Sequence, residues 1–207
     1  MTYQREIQLV FDASSFGRGG GRGGAPSSQV DLWYIAANRD RDPQPPSPER
    51  EFFVHCIRDH LCKLAQAETK IHSMLSVISK AWTVANHVAT NVRLLNCTFP
   101  TNVTPTSDAS ITVRSSLLLA PLDTKVEITI DLHWETTQAG SQNDFHVTML
   151  PHARVVYGEH FKVENVEEFL TTHMGTGFST GEDLDKARSW SDVIVELHER
   201  LLARGRK

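Results

Sequence analysis

The chain has 207 residues, 40% of them hydrophobic and 22% charged, with a formal net charge of −4. This is a globular composition, enough for one sizeable core or two small ones, and its acidic balance argues against nucleic acid as the main partner. No apolar run approaches the roughly twenty residues that span a bilayer, so no membrane partner is expected. The opening Met1-Thr2-Tyr3-Gln4-Arg5-Glu6 lacks the apolar stretch of a signal peptide. Three cysteines, Cys56, Cys62 and Cys97, stand at irregular spacing, which suits a reducing compartment better than a disulfide framework.

Residues 6–12 alternate, with Ile7, Leu9 and Phe11 on one side, and predict a strand that has no partner before it. A glycine-dense tract over 17–28 cannot bury enough apolar surface to order itself. A second short strand at 30–36 completes a hairpin with an expanded loop. Four prolines between Pro43 and Pro48 exclude a helix there and mark a linker over 38–48.

Ser47-Pro48-Glu49 is a helix start: a capping hydroxyl, a proline whose missing N–H is not needed in the first turn, and an acid facing the positive end of the dipole. The helix runs to about Leu64 with Phe53, Ile57, Leu61 and Leu64 at helical spacing. A longer pattern follows in Ile71, Leu75, Ile78, Trp82, Ala85, Ala89 and Val92, ending near Asn96. Its flanks hold Ser, Thr and Asn instead of the charges that set coiled-coil partners, so it is read as a helix packed along a sheet. Residues 111–120 and 125–135 alternate cleanly and are joined by Pro121-Leu122-Asp123-Thr124, an antiparallel hairpin. Residues 145–157 continue the strand pattern across an expected break at Pro151, and helices are predicted at about 163–174 and 183–203. The order helix, helix, three or four strands, helix, helix is an α+β antiparallel meander covered by helices.

Four motifs carry possible chemistry. Gly177-Phe178-Ser179-Thr180-Gly181 has the G-x-S-x-G form, but a helix precedes it where a nucleophile elbow needs a strand, so a loop between helices is expected. The ten histidines and three cysteines contain no metal-ligand spacing, and no cofactor is expected. Arg18-Gly19-Gly20-Gly21-Arg22-Gly23-Gly24 resembles an RNA-binding tract, yet two arginines give little affinity and a loop tip explains it better. Ser47-Pro48-Glu49-Arg50 has the proline-directed form Ser-Pro-x-basic, which makes Ser47 a possible phosphorylation site as well as a cap.

Several dispersed segments together resemble one family. They are Arg50-Glu51-Phe52-Phe53, Leu75-Ser76-Val77-Ile78-Ser79-Lys80-Ala81-Trp82, Leu117-Leu118-Leu119, Lys125-Val126-Glu127-Ile128-Thr129, Ala153-Arg154-Val155-Val156-Tyr157-Gly158-Glu159 and Leu197-His198-Glu199-Arg200-Leu201-Leu202-Ala203-Arg204-Gly205-Arg206-Lys207. Across residues 5–207 they resemble the fungal kinetochore scaffold of the KMN network, the Blinkin or Spc-seven family. The resemblance implies a C-terminal RWD domain over 49–207, a non-catalytic relative of ubiquitin-conjugating enzymes. Residues 1–37 would be the remnant hairpin of an upstream RWD domain. It implies docking onto the MIND complex for chromosome segregation and checkpoint signalling, with the upstream RWD domain and coiled coil of the scaffold as further partners and the nuclear centromere as location. Docking would use an apolar groove or a sheet edge. Val155, Tyr157 and Phe161 are the candidate groove residues, with burial in the core as their alternative role. A ubiquitin-conjugating enzyme would need a cysteine beyond the sheet, and all three precede it; an RNA-binding sheet would need an aromatic stripe, which residues 111–135 lack.

Overall fold

The computed structural model describes residues 2–3, 6–11, 30–35, 46–66, 71–139, 142–158, 162–179 and 189–204. The chain divides into two units, Met1–Ala85 and Asn86–Lys207.

In the first unit, β1 (Thr2–Tyr3), β2 (Ile7–Phe11) and β3 (Val30–Tyr34) form an antiparallel sheet in that order. The expected partnerless start is corrected here, because Thr2 and Tyr3 pair with Gln8 and Ile7. Ile7 and Leu9 with Val30 and Leu32 supply the buried face, as the alternation requires. Helix α1 (Pro48–Gln66) begins where the cap residues predict: the Glu51 N–H donates to the Ser47 carbonyl at 2.9 Å. It buries Phe53, Ile57 and Leu61 completely, each side chain worth about 1.5–3 kcal/mol of transfer free energy. The Arg58 guanidinium ties α1 to β3, donating to the Leu32 carbonyl at 2.7 Å and approaching the Asp31 carboxylate at 3.1 Å. Trp82, on the following helix α2 (Ile71–Thr98), is fully buried and donates its indole N–H to the Glu6 carboxylate at 2.9 Å. The predicted stripe of α2 is buried from Ile78 onward, while Ile71 and Leu75 are half-buried. A second stripe, Met74, Val77, Ala81, Val84, Val88 and Leu95, is buried as well, the last two in the part of the helix that belongs to the second unit, while Leu94 is exposed.

In the second unit, the sheet order is β4 (Thr101–Ser107), β5 (Ser110–Leu119), β6 (Thr124–Ala139), β7 (Gln142–Tyr157) and β8 (Gly177–Ser179), all antiparallel. Five strands replace the three or four expected. β4 escaped the sequence reading because its Thr, Asn and Pro residues carry no hydrophobic alternation; it is an exposed edge strand with little to bury. The residues expected as an interhelical loop at Gly177 form β8 instead. The break at Pro151 is also corrected, since β7 runs through it. Met149 N–H donates away from β6 to the Thr176 carbonyl, and Ala153 N–H donates to the Glu167 carboxylate. Pro151 has the same parity, so its missing N–H would have faced outward and the ladder to β6 loses nothing. The predicted β5–β6 turn holds: Ala120–Leu122 form one 3-10 turn, and Asp123 takes the left-handed conformation at φ 44°.

One sheet face is apolar and buried: Ile111, Val113, Leu117 and Leu119 of β5, Val126, Ile128, Ile130 and Leu132 of β6, and Phe145, Val147 and Met149 of β7. Trp134 stacks on Phe145 at 5.0 Å between ring centres. Helix α3 (Val163–Met174) buries Val166, Leu170 and Met174. Helix α4 (Trp190–Arg204) buries Trp190, Ile194, Leu197 and Leu201 at helical spacing. The expected start of this helix at about residue 183 lies outside the described residues. The buried Asn91 of α2 caps α4: its side-chain carbonyl accepts from Ser189 Oγ at 2.6 Å and from the Ser191 N–H at 3.1 Å. The described residues form an α+β fold with antiparallel sheets and an N-terminal hairpin, consistent with the RWD-like meander expected from the sequence.

Candidate docking surface

The antiparallel register assembles the opposite, solvent-facing side of the second sheet in rows. Leu118 pairs with Lys125 and Lys125 with Tyr157; the next row is Ser116, Glu127 and Arg154. Arg114, Thr129 and His152 follow, then Thr112, Asp131 and Leu150. Directly paired residues share a face, so each row is a set of neighbouring side chains.

The rows differ in character. In the first, Leu118 is 55% exposed and Tyr157 48%, with Val156 at 44% beside it, giving an uncovered apolar edge around the stem of Lys125. In the second, Arg154 and Glu127 are closed on each other at 2.6 Å. Further along, Thr112 donates its hydroxyl to Asp131, and the His152 ring stands 3.8 Å from both the Asp131 and Glu167 carboxylates. The charges beyond the apolar row are thus largely paired among themselves.

The sequence-predicted groove residues do not converge. Val155 pairs with the buried Val126 and is half-buried on the core side. A bulge follows: Val126 pairs with Val155 but Lys125 pairs with Tyr157, leaving Val156 as the extra residue. That one-residue shift turns Tyr157 onto the outer face. Phe161 lies outside the described residues. Gly158 ends the strand at φ 98°, where an added Cβ would stand 2.5 Å from the Asp123 carbonyl, so this corner needs glycine. Leu118 was passed over because it sits inside the apolar run Leu117-Leu118-Leu119; its even position in a strand that buries its odd ones was the available signal.

The outer edge of β7 is blocked to strand addition through its middle. β8 pairs with His146, Val147 and Thr148, the Met149 N–H is taken by Thr176, Pro151 has no donor, and Glu167 takes the Ala153 N–H. What this side leaves open to a partner is therefore the outer face, not that edge.

The register sets Ser179 of the G-x-S-x-G segment opposite His146, and His146 opposite Glu135. Ser179 lies on a three-residue strand, whereas a serine nucleophile elbow requires a strained strand-to-helix turn. Cys56 is buried and Cys62 half-buried on α1, Cys97 is exposed on α2, and all lie ahead of β4. Among the described residues, no group of three or more His, Cys, Asp or Glu is placed to hold a metal ion, and no helix is long and apolar enough to cross a membrane. Ser47 is half-buried at the N-cap of α1, its hydroxyl donating to the Glu49 carboxylate.

No curated protein and no solved structure matches the chain. A protein-family model does match, over residues 1–89, a shorter stretch than the one across which the sequence motifs were read. That segment holds the N-terminal sheet, α1 and most of α2. The matching model is the Knl1 RWD C-terminal domain, and over this segment, less than half of the chain, the sequence is similar to that family.

Proposed function

We propose that the chain is a non-catalytic adaptor that docks the outer-kinetochore scaffold onto the MIND complex, serving chromosome segregation and checkpoint signalling at the centromere in the nucleus. The match to the Knl1 RWD C-terminal domain carries this reading. In this reading residues 1–37 are the last hairpin of an upstream RWD domain, 38–48 a linker and 49–207 the C-terminal RWD domain, and the scaffold's upstream RWD domain and coiled coil are further partners. The exposed row of Leu118, Val156 and Tyr157 supports a docking role, because monomeric folds seldom leave large side chains uncovered side by side. An aromatic ring set among paired charges suits the centre of such a contact.

Calorimetric titration with purified MIND complex tests it. Saturable binding at micromolar affinity or tighter is expected, and Tyr157→Ala should weaken it by about fivefold or more with the fold retained. A folded chain that binds nothing would refute the adaptor reading. Unchanged binding by Tyr157→Ala would leave the adaptor and remove this row as its surface.

A further inference from the structure

The start of α1 holds an arrangement that docking does not use. Ser47 caps the helix and donates its hydroxyl to the carboxylate of Glu49, a residue only 6% exposed. Arg50, in the same first turn, donates from Nη1 to the Tyr34 hydroxyl of β3 at 3.2 Å, and its guanidinium carbon lies 5.8 Å from the centre of that ring. The Nε of Arg50 is buried and has no hydrogen-bond acceptor. A cation with an unused buried donor therefore stands three residues after a hydroxyl in the sequence Ser47-Pro48-Glu49-Arg50.

We propose that Ser47 is a phosphorylation site, and that its phosphate takes Arg50 away from Tyr34. In the transfer, Ser47 Oγ attacks the γ-phosphorus of a nucleoside triphosphate bound to a proline-directed kinase. The new O–P bond forms as the bond to the β–γ bridging oxygen breaks, the hydroxyl proton passes to the kinase base, and the nucleoside diphosphate leaves. The product has lost the proton that Ser47 donates to Glu49. It sets a near-dianion beside that carboxylate, and the repulsion drives the phosphate toward the cation of the same helical turn, Arg50. Arg50 can meet it with two parallel N–H donors, stronger than its single bond to a neutral phenol, and the helix dipole favours the same placement. The result exchanges a contact that joins α1 to β3 for one confined to the first turn of α1.

The full chain is treated with a proline-directed kinase and ATP and mapped by mass spectrometry, and the phosphate is then titrated by phosphorus NMR. Near-complete modification at Ser47 is expected. The second phosphate ionisation, normally near pH 6, should fall by about half a unit or more, and the fall should vanish in Arg50→Gln. Circular dichroism confirms that both proteins are folded. Modification of an isolated peptide carrying residues 43–54 but not of the chain would overturn the proposal, since the cap would then be closed to the kinase. A phosphate whose ionisation is unshifted or raised would overturn it too, because Glu49 and not Arg50 would be its neighbour.

Discussion

His60 is buried on α1, and burial is the main reason its pKa lies below the ordinary 6.5; Lys63 pushes the same way and Asp59 opposes. The unfolded chain therefore takes up this proton before the folded one does. Stability from this group is fully present above about pH 6.5 and declines as the pH falls from there toward the folded-state value. The melting temperature should drop between pH 7 and 5.5, and His60→Gln should flatten that part of the profile. An unchanged slope in the variant would assign the acid sensitivity to other groups. Side-chain roles of this kind were only partly readable in the sequence. Ser47 could be recognised as a cap from Ser-Pro-Glu alone, because capping is decided within one turn. Asn91 could not, since its function is to accept hydrogen bonds from Ser189 and Ser191, about a hundred positions away.

At the scale of elements, the strands and helices that bury one face were legible, and those that bury little were not. β2, β3, β5, β6, α1 and α2 follow period-two or helical patterns because one side of each meets a core. β4 is an exposed edge strand of mostly Thr, Asn, Pro and Ser, and β8 is three residues long with one buried side chain, Phe178, so neither is long or apolar enough to show a hydrophobic period. Pro151 looked like a break because a strand proline is harmful only when its missing donor points at a neighbouring strand, and that direction is set by register. The same edge makes a prediction about α3. Glu167 accepts the Ala153 N–H at 2.9 Å, so Glu167→Ala should bare that donor. A stability loss of about 1 kcal/mol is expected, with concentration-dependent self-association in sedimentation, while Glu167→Gln should keep the acceptor and stay monodisperse.

For the whole molecule, α2 is the element that spans the division of the chain, its residues Ile71–Ala85 belonging to one unit and Asn86–Thr98 to the other. A proline at position 86 would remove a helical hydrogen bond and clash with the preceding turn, at a cost of about 3 kcal/mol or more. Asn86→Pro is expected to lose ellipticity at 222 nm and to split a single thermal transition into two; one sharp transition would show that the units do not rely on an unbroken helix. The α+β class and the family resemblance could be read from the sequence. The exposed row could not, because Leu118, Lys125 and Tyr157 become neighbours only through the pairing of three strands.

The bulge at Val156 has a consequence for how this surface can change over time. Point substitutions alter the row one side chain at a time. Loss of the codon for residue 156 would instead restore the regular pleat, opposing Lys125 with a single residue. The tyrosine would take the place that two residues now share, and every position beyond it would move forward by one. Length, as well as residue identity, is therefore a heritable variable at this corner, and relatives that lack this one residue should keep the tyrosine opposite the lysine while losing the exposed valine from the row.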